Sequence, residues 1–255
     1  MVRPALHHVA VAGYSLMNAL LERIYSTGQV EDADGNFVSH STSSITFETG
    51  MLLYDLIRRE RHARTLEIGM AYGLATLFMC QAHHDNGTGH HTVIDPYEIT
   101  IWRSIGLLNV TRAGLDSLLR FYEAPSCAIL PQLWAEGEHF DFAFIDGAHL
   151  FDYVMLDFFY VDKVLKVGGH MAFDDLWMPA VRKAVAFVLK NRAYVLVPPS
   201  AHRTTPLWRR VARAGRRIIQ DALGSGLALK LVAENVGVVQ KVAEDQRPWD
   251  FHRSF

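Results

Sequence analysis

A chain of 255 residues and 28.8 kDa, half hydrophobic and one-fifth charged, can bury a sizeable core as a single domain. Its net charge of -2 and pI near 6.7 exclude any overall electrostatic pull toward nucleic acid or anionic membranes, so such affinity has to be local. Two cysteines, Cys80 and Cys127, exclude a disulfide framework; both sit in apolar sequence, and reduced buried thiols in a cytoplasmic protein are expected.

In chain order, the opening MVRPALHHVAVAG carries His7 and His8 where a signal peptide needs an unbroken apolar stretch. No later window reaches the roughly 18 apolar residues of a membrane span. A soluble, unprocessed chain is expected. Residues 1–40 read as an N-terminal cap or lid, with a helical extension over 13–26 and the polar stretch GQVEDADGNFVSHSTSS. From residue 50 onward, short β-rich runs alternate with longer helical patterns, the signature of βαβ units and a parallel sheet. Seven strands are predicted at 64–69, 91–95, 119–123, 141–146, 169–174, 193–198 and 235–241, with helices near 50–60, 73–83, 99–106, 153–165 and 178–190. One domain over 1–255 results, with its core at 42–242 and a basic insertion at 199–225.

TLEIGMAYGLATLF runs from a strand through Gly69 and Gly73 into a helix. Glycines there permit a tight turn and close approach of a ligand to the backbone, although they serve equally well as plain turn residues. Two carboxylates add to the pattern. Asp95, ending the next strand in TVIDPYE, can accept both hydroxyls of a ribose, and Glu67, beside the turn, can take a cationic ammonium. An adenosine ligand with a positive tail fits both.

On these residues the chain resembles the class I S-adenosylmethionine-dependent methyltransferases: Glu67, Gly69 and Gly73 stand where that family's E/D-x-G-x-x-x-G motif stands, and Asp95 where its ribose-binding acid stands. The resemblance covers residues 42–242. It implies a Rossmann-like, doubly wound α/β fold whose seven-stranded sheet has an antiparallel last strand. It also implies S-adenosyl-L-methionine as cofactor, with Glu67, Gly69, Ala71, Gly73, Asp95, Ser126 and Asp146 as the binding set. SITFETGMLLYDLI looks like the segment that closes over the cofactor in small-molecule O-methyltransferases, which makes Thr46, Glu48 and Thr49 candidates for cofactor-proximal positions.

FDFAFIDGAH ends a strand at Asp146, and 28 residues later HMAFDD ends the next at Asp174 and Asp175. Adjacent strands of such a sheet end at one rim, so three acids converge there. Like charges so close raise one another's pKa unless something cationic sits among them, and a hard divalent ion with oxygen ligands is one solution. Taken singly, each Asp reads equally well as a helix cap. Together they resemble the ligand set of the divalent-metal-dependent O-methyltransferases, both the catechol and the macrocin and mycinamicin sugar types. Asp175 departs from the Asn of the catechol type, and His149 replaces its Lys. Asp146, Asp174 and Asp175 are thus the expected ligands of Mg²⁺. His149, with an ordinary pKa of about 6.5, suits a general base for a hydroxyl proton.

Three signals are read as structural. The histidines of HHDNGTGHH (His83, His84, His90, His91) flank turn chemistry at the wrong end of a strand and are expected on a surface loop. Trp102, Trp177 and the terminal RPWDFHRSF could line an acceptor pocket, but packing is the commoner use of aromatics. Ten Lys or Arg and no acid occur between Leu176 and Gln220, centred on an amphipathic 203–217, which reads as a solvated face.

The expected activity is methyl transfer to a hydroxyl of a small molecule. The rivals are a metal-independent methyltransferase, a hydroxylase on the same scaffold, and a non-catalytic partner-binding protein that uses segment 203–217. Nucleic acid is not the expected partner, and exposed aromatics near both ends suggest a homodimer.

Overall fold

The computed structural model describes residues 18–40, 43–197, 235–251 and 253–255. The basic insertion expected at 199–225 and its segment 203–217 lie outside the described residues, as do residues 1–17 of the cap.

Helix α1 (Ala19–Thr27), capped by the Asn18 side chain, leads into a small antiparallel hairpin, β1 (Gln29–Glu31) with β2 (Phe37–Ser39). Asp32 makes the hairpin turn: its Oδ1 accepts from the backbone N–H groups of Asp34 and Asn36 at 2.9 and 2.8 Å. The core follows as α2 (Phe47–Glu60), β3 (Arg64–Ile68), α3 (Leu74–Asn86), β4 (His90–Ile94), α4 (Ile105–Arg112), β5 (Leu119–Tyr122), α5 (Ser126–Ala135), β6 (Phe140–Ile145), α6 (Phe151–Val164), β7 (Leu165–Phe173), α7 (Pro179–Asn191), β8 (Tyr194–Leu196) and β9 (Gly237–Lys241).

All seven expected strands form one sheet, in the order β5-β4-β3-β6-β7-β9-β8. β9 runs antiparallel to both of its neighbours, so the last strand is wedged between β7 and β8. The order reverses between β3 and β6. In an open α/β sheet that reversal opens a crevice at the carboxyl edge. Alternation along the strands splits the core in two. Phe142 and Phe144 face the layer that holds α2 and α3, whereas Ala143 and Ile145 face that of α6 and α7.

Four local expectations are revised. The helix predicted at 99–106 begins at Ile105, because Arg103 and Ser104 both adopt left-handed backbone (φ 57°) and the Glu98 carboxylate caps the helix by accepting from Leu107 N–H at 3.1 Å. Helix α5 was not anticipated; Pro131 inside it argues against a helix from sequence alone. β7 starts at Leu165, ahead of the predicted 169, and its pairing with β6 slips between Phe140↔Leu165 and Phe142↔His170, where Gly168 takes φ 87°. Cys80 is buried as expected, but Cys127 is exposed on α5.

Candidate active site

The carboxyl rim is built by one repeated backbone device. Asp146 N–H donates to Ile68 C=O (2.9 Å), Asp174 N–H to Ile145 C=O (3.2 Å) and Asp95 N–H to Tyr122 C=O (3.1 Å). Each acid therefore sits one residue beyond its strand, tied to the last carbonyl of the strand beside it. That is why residues so distant in sequence share one edge.

At the glycine turn, Gly69 (φ 92°) lies so close to the rim that a Cβ there would stand 2.3 Å from the Asp146 carbonyl oxygen. Gly73 (φ 73°) packs against Gly106, whose Cα would be 2.9 Å from an added Cβ. Both glycines are thus demanded by conformation and by backbone contact. Ala71 takes φ 48° without that freedom, a strain of about 1–2 kcal/mol for a residue with a Cβ. Asp95 holds the turn down: one oxygen accepts from Met70 and Ala71 N–H at 2.7 and 3.1 Å, the other from Tyr97 N–H at 2.7 Å. A carboxylate has about four acceptor sites, so a hydroxyl can still be accommodated.

Glu67 lies beneath the turn and is fully buried. Its Oε2 accepts from the Thr76 hydroxyl (2.8 Å) and meets His91 Nε2 (2.7 Å); the chain continues from His91 Nδ1 to the Thr65 hydroxyl (2.8 Å) and on to His83 Nε2 (2.7 Å). Burial pushes Glu67 up to about 8 and His91 down to about 3. Glu67 Oε1 is buried without a hydrogen-bond partner. The expectation of a surface histidine loop holds for His84 and His90 but not for His83 and His91, which are 0 % exposed. Even periodicity on β4 puts His91 on the same inward face as Val93, so its ring lies inside the helical layer.

Next to the turn, Asp146, His149 and Asp175 place potential ligand atoms within 4.8 Å of one another. His149 Nε2 lies 2.9 Å from Asp175 Oδ2 and 3.4 Å from Asp146 Oδ1. Hydrogen bonds to Asp146 and then to Asp175 raise His149 to about 10, so it is protonated between two carboxylates. Burial, opposed by the hydrogen bond from His149, pushes Asp146 above the usual carboxylate range, and burial together with the Asp146 charge does the same to Asp174. At Asp175 burial also pushes upward, but hydrogen bonds from His149, Asn235 and Trp177 outweigh it and hold the acid low. Asp174 stands outside the compact trio: its Oδ1 accepts from Asn235 Nδ2 at 2.9 Å. The same nitrogen reaches Asp175 Oδ1 at 2.9 Å, and Trp177 Nε1 donates there at 2.7 Å. Asp175 itself has left-handed backbone (φ 55°), which brings two consecutive carboxylates to one amide. Oxygen-rich donors converging on one rim suit a hard divalent cation.

Ser126 is half-buried at the first turn of α5 and donates to Asp157 Oδ1 at 2.5 Å. Thr46 caps α2 by accepting from Thr49 N–H at 3.1 Å. Trp102 packs edge-on against Tyr72. Sequence reasoning missed Asn235 and Asp157 and the partners of Glu67. None carries a local signal, since each earns its place through a contact between distant strands or helices.

Residues 66–176 match the model of a methyltransferase domain. Caffeoyl-CoA O-methyltransferases are similar in sequence. That of Populus kitakamiensis is 29% identical over 159 residues, 58% of this chain and 61% of the relative; that of Stellaria longipes is 30% identical over 132 residues, 50% and 52%. The chain thus spans between half and two-thirds of these relatives. The fold is shared with an O-methyltransferase from Bacillus cereus solved with SAH (TM-score 0.56, 18% identity, 74% of this chain and 88% of that one). It is shared also with TomG from Streptomyces achromogenes, solved with SAM (TM-score 0.58, 18% identity, 71% and 82%). Among the described residues no helix is long and apolar enough to cross a membrane.

Proposed function

We propose that the protein is an O-methyltransferase that uses S-adenosyl-L-methionine and a divalent cation, Mg²⁺ by preference, to methylate a hydroxyl of a small molecule. The observation that carries this reading is the convergence of Asp146, His149 and Asp175 on the rim beside the Gly69–Gly73 turn, with Asp174 tied to Asp175 through the Asn235 amide and Gly69 against the backbone of Asp146. The similar caffeoyl-CoA O-methyltransferases support it.

The cofactor side falls to Glu67, Gly69, Ala71, Gly73, Asp95, Ser126 and Asp146, and the cation side to Asp146, Asp174 and Asp175. When bound, the cofactor supplies an electrophilic methyl group and the cation a positive charge that favours a deprotonated acceptor oxygen. The chain's own residues bind, orient and move one proton. His149 accepts the hydroxyl proton at Nε2, the nitrogen that faces Asp146 and Asp175. Hydrogen bonds to those two carboxylates favour the protonated imidazole, so the base function of His149 calls for a cation that takes up their charge.

The test is calorimetric titration with S-adenosylmethionine, followed by methyl transfer to a panel of phenolic and sugar hydroxyls with Mg²⁺ and with EDTA. Binding of the cofactor with activity lost in EDTA and restored by Mg²⁺ is expected. No cofactor binding would remove the foundation; activity unchanged in EDTA would remove the cation.

A further inference from the structure

Asn235 is remote in sequence from every acid of the rim, yet its single amide nitrogen lies 2.9 Å from Asp174 Oδ1 and 2.9 Å from Asp175 Oδ1. The rest of the residue faces the same loop. Its carbonyl accepts from Leu176 N–H at 2.8 Å, and its Oδ1 from Trp177 N–H at 3.4 Å. Two residues later Gly237 begins β9, and there a Cβ would stand 2.9 Å from Leu176 Cδ1, so the loop after β7 is pressed against this entry into the antiparallel strand. Consecutive acids repel and, in extended backbone, diverge to opposite faces. Here the left-handed conformation of Asp175 turns both to one side, and an amide with two N–H donors and no charge is a group that satisfies two carboxylates without replacing the positive charge they would share.

We propose that Asn235 is a positioning residue for cation binding. By donating to Asp174 and Asp175 together, it holds their remaining oxygens in the orientation that a divalent ion needs. Asp175 Oδ1 is taken by Asn235 and Trp177, which leaves Oδ2 facing His149 and the Asp146 side. Asp174 likewise keeps one oxygen that Asn235 does not use. The proposal rests on the divalent-cation reading above and adds a residue that reading does not contain. Partners that orient metal ligands are commonly worth about 10- to 100-fold in affinity.

The test reads binding directly, by Mn²⁺ titration followed by electron paramagnetic resonance on the whole chain, with S-adenosylmethionine affinity measured in parallel by calorimetry. Asn235→Leu, equal in size but without donors, is expected to weaken Mn²⁺ about 10-fold or more while leaving cofactor affinity within about twofold. Asn235→Asp, which keeps the shape and loses the donors, is expected to weaken it as well, because a third carboxylate then repels the two it should tie. If N235L does not fold, N235S, which keeps one donor, is expected to lose less affinity than N235D. Equal Mn²⁺ affinity in wild type and N235L, or in N235S and N235D, overturns the proposal and leaves the cation reading standing. Tighter Mn²⁺ binding by N235D than by wild type also overturns it, since charge count and not amide donation then sets affinity. A wild-type chain that takes up no Mn²⁺, with D146N no different, overturns the cation reading and this proposal together.

Discussion

Two polar clusters lie within a few residues of the glycine turn, and they solve the problem of burial in opposite ways. Beneath the turn, Thr76, Glu67, His91, Thr65 and His83 form a closed relay with side chains at or near zero exposure, each link 2.7–2.8 Å long. On the rim, Asp146, His149 and Asp175 remain 22–31 % exposed and leave like charges facing one another. The inner cluster spends most of its hydrogen bonds on itself and leaves only Glu67 Oε1 and His83 Nδ1 without a partner. The outer cluster keeps acceptor oxygens and charge uncompensated, and a site that must engage ligands can afford that only where solvent reaches it. Perturbed titration alone does not distinguish the two; accessibility does.

That contrast can be broken experimentally. The largest effect is expected at the rim. Asp146→Asn should lower kcat/KM about 100-fold or more through lost charge stabilisation, with the urea midpoint little changed, as measured by transfer of labelled methyl. Wild-type activity in that variant would contradict the assignment. His149→Ala follows, with a loss of about 100-fold or more in kcat for a general base and S-adenosylmethionine affinity retained in calorimetry. A drop in cofactor affinity with kcat intact would instead make His149 a binding residue.

In the inner cluster the signature reverses. His91→Leu leaves Glu67 short of a partner and should cost about 1–3 kcal/mol of stability, visible in urea denaturation, while the Mn²⁺ titration of the rim stays at the wild-type value. Loss of Mn²⁺ affinity there would erase the distinction between the clusters.

The smallest effect is that of pH on stability. Burial lowers His83 and His62 to about 4, from an ordinary value of 6.5. A depressed folded-state pKa means that the unfolded chain binds the proton more readily. Their contribution is therefore complete above about pH 6.5 and is lost as pH falls from there toward about 4. The urea midpoint should decline over that window, and the decline should be shallower in His83→Gln. A midpoint that rises on acidification would reverse the sign and refute the buried neutral state.

Much of this architecture is legible in the chain itself. Seven β-rich runs, five of them ended by glycine or acid, place every strand of the sheet within a few residues, because period-two burial and turn chemistry are local. The acids at strand ends are legible for the same reason. What misled was equally physical. Pro131 concealed α5, two left-handed residues moved the start of α4, and the histidines flanking Gly87 and Gly89 looked solvent-bound because their neighbours are turn residues.

The sequence alone determined that Glu67, Asp95, Asp146 and Asp174 stand at the carboxyl ends of strands, since strand ends follow from local pattern. Only the tertiary structure decided what each acid does there. Inserting β9 between β7 and β8 brings Asn235 to Asp174 across 61 residues of chain, and the reversal of strand order between β3 and β6 sets Gly69 against Asp146. Strand order is a property of how faces bury against one another across the whole domain, and no local stretch of residues encodes it.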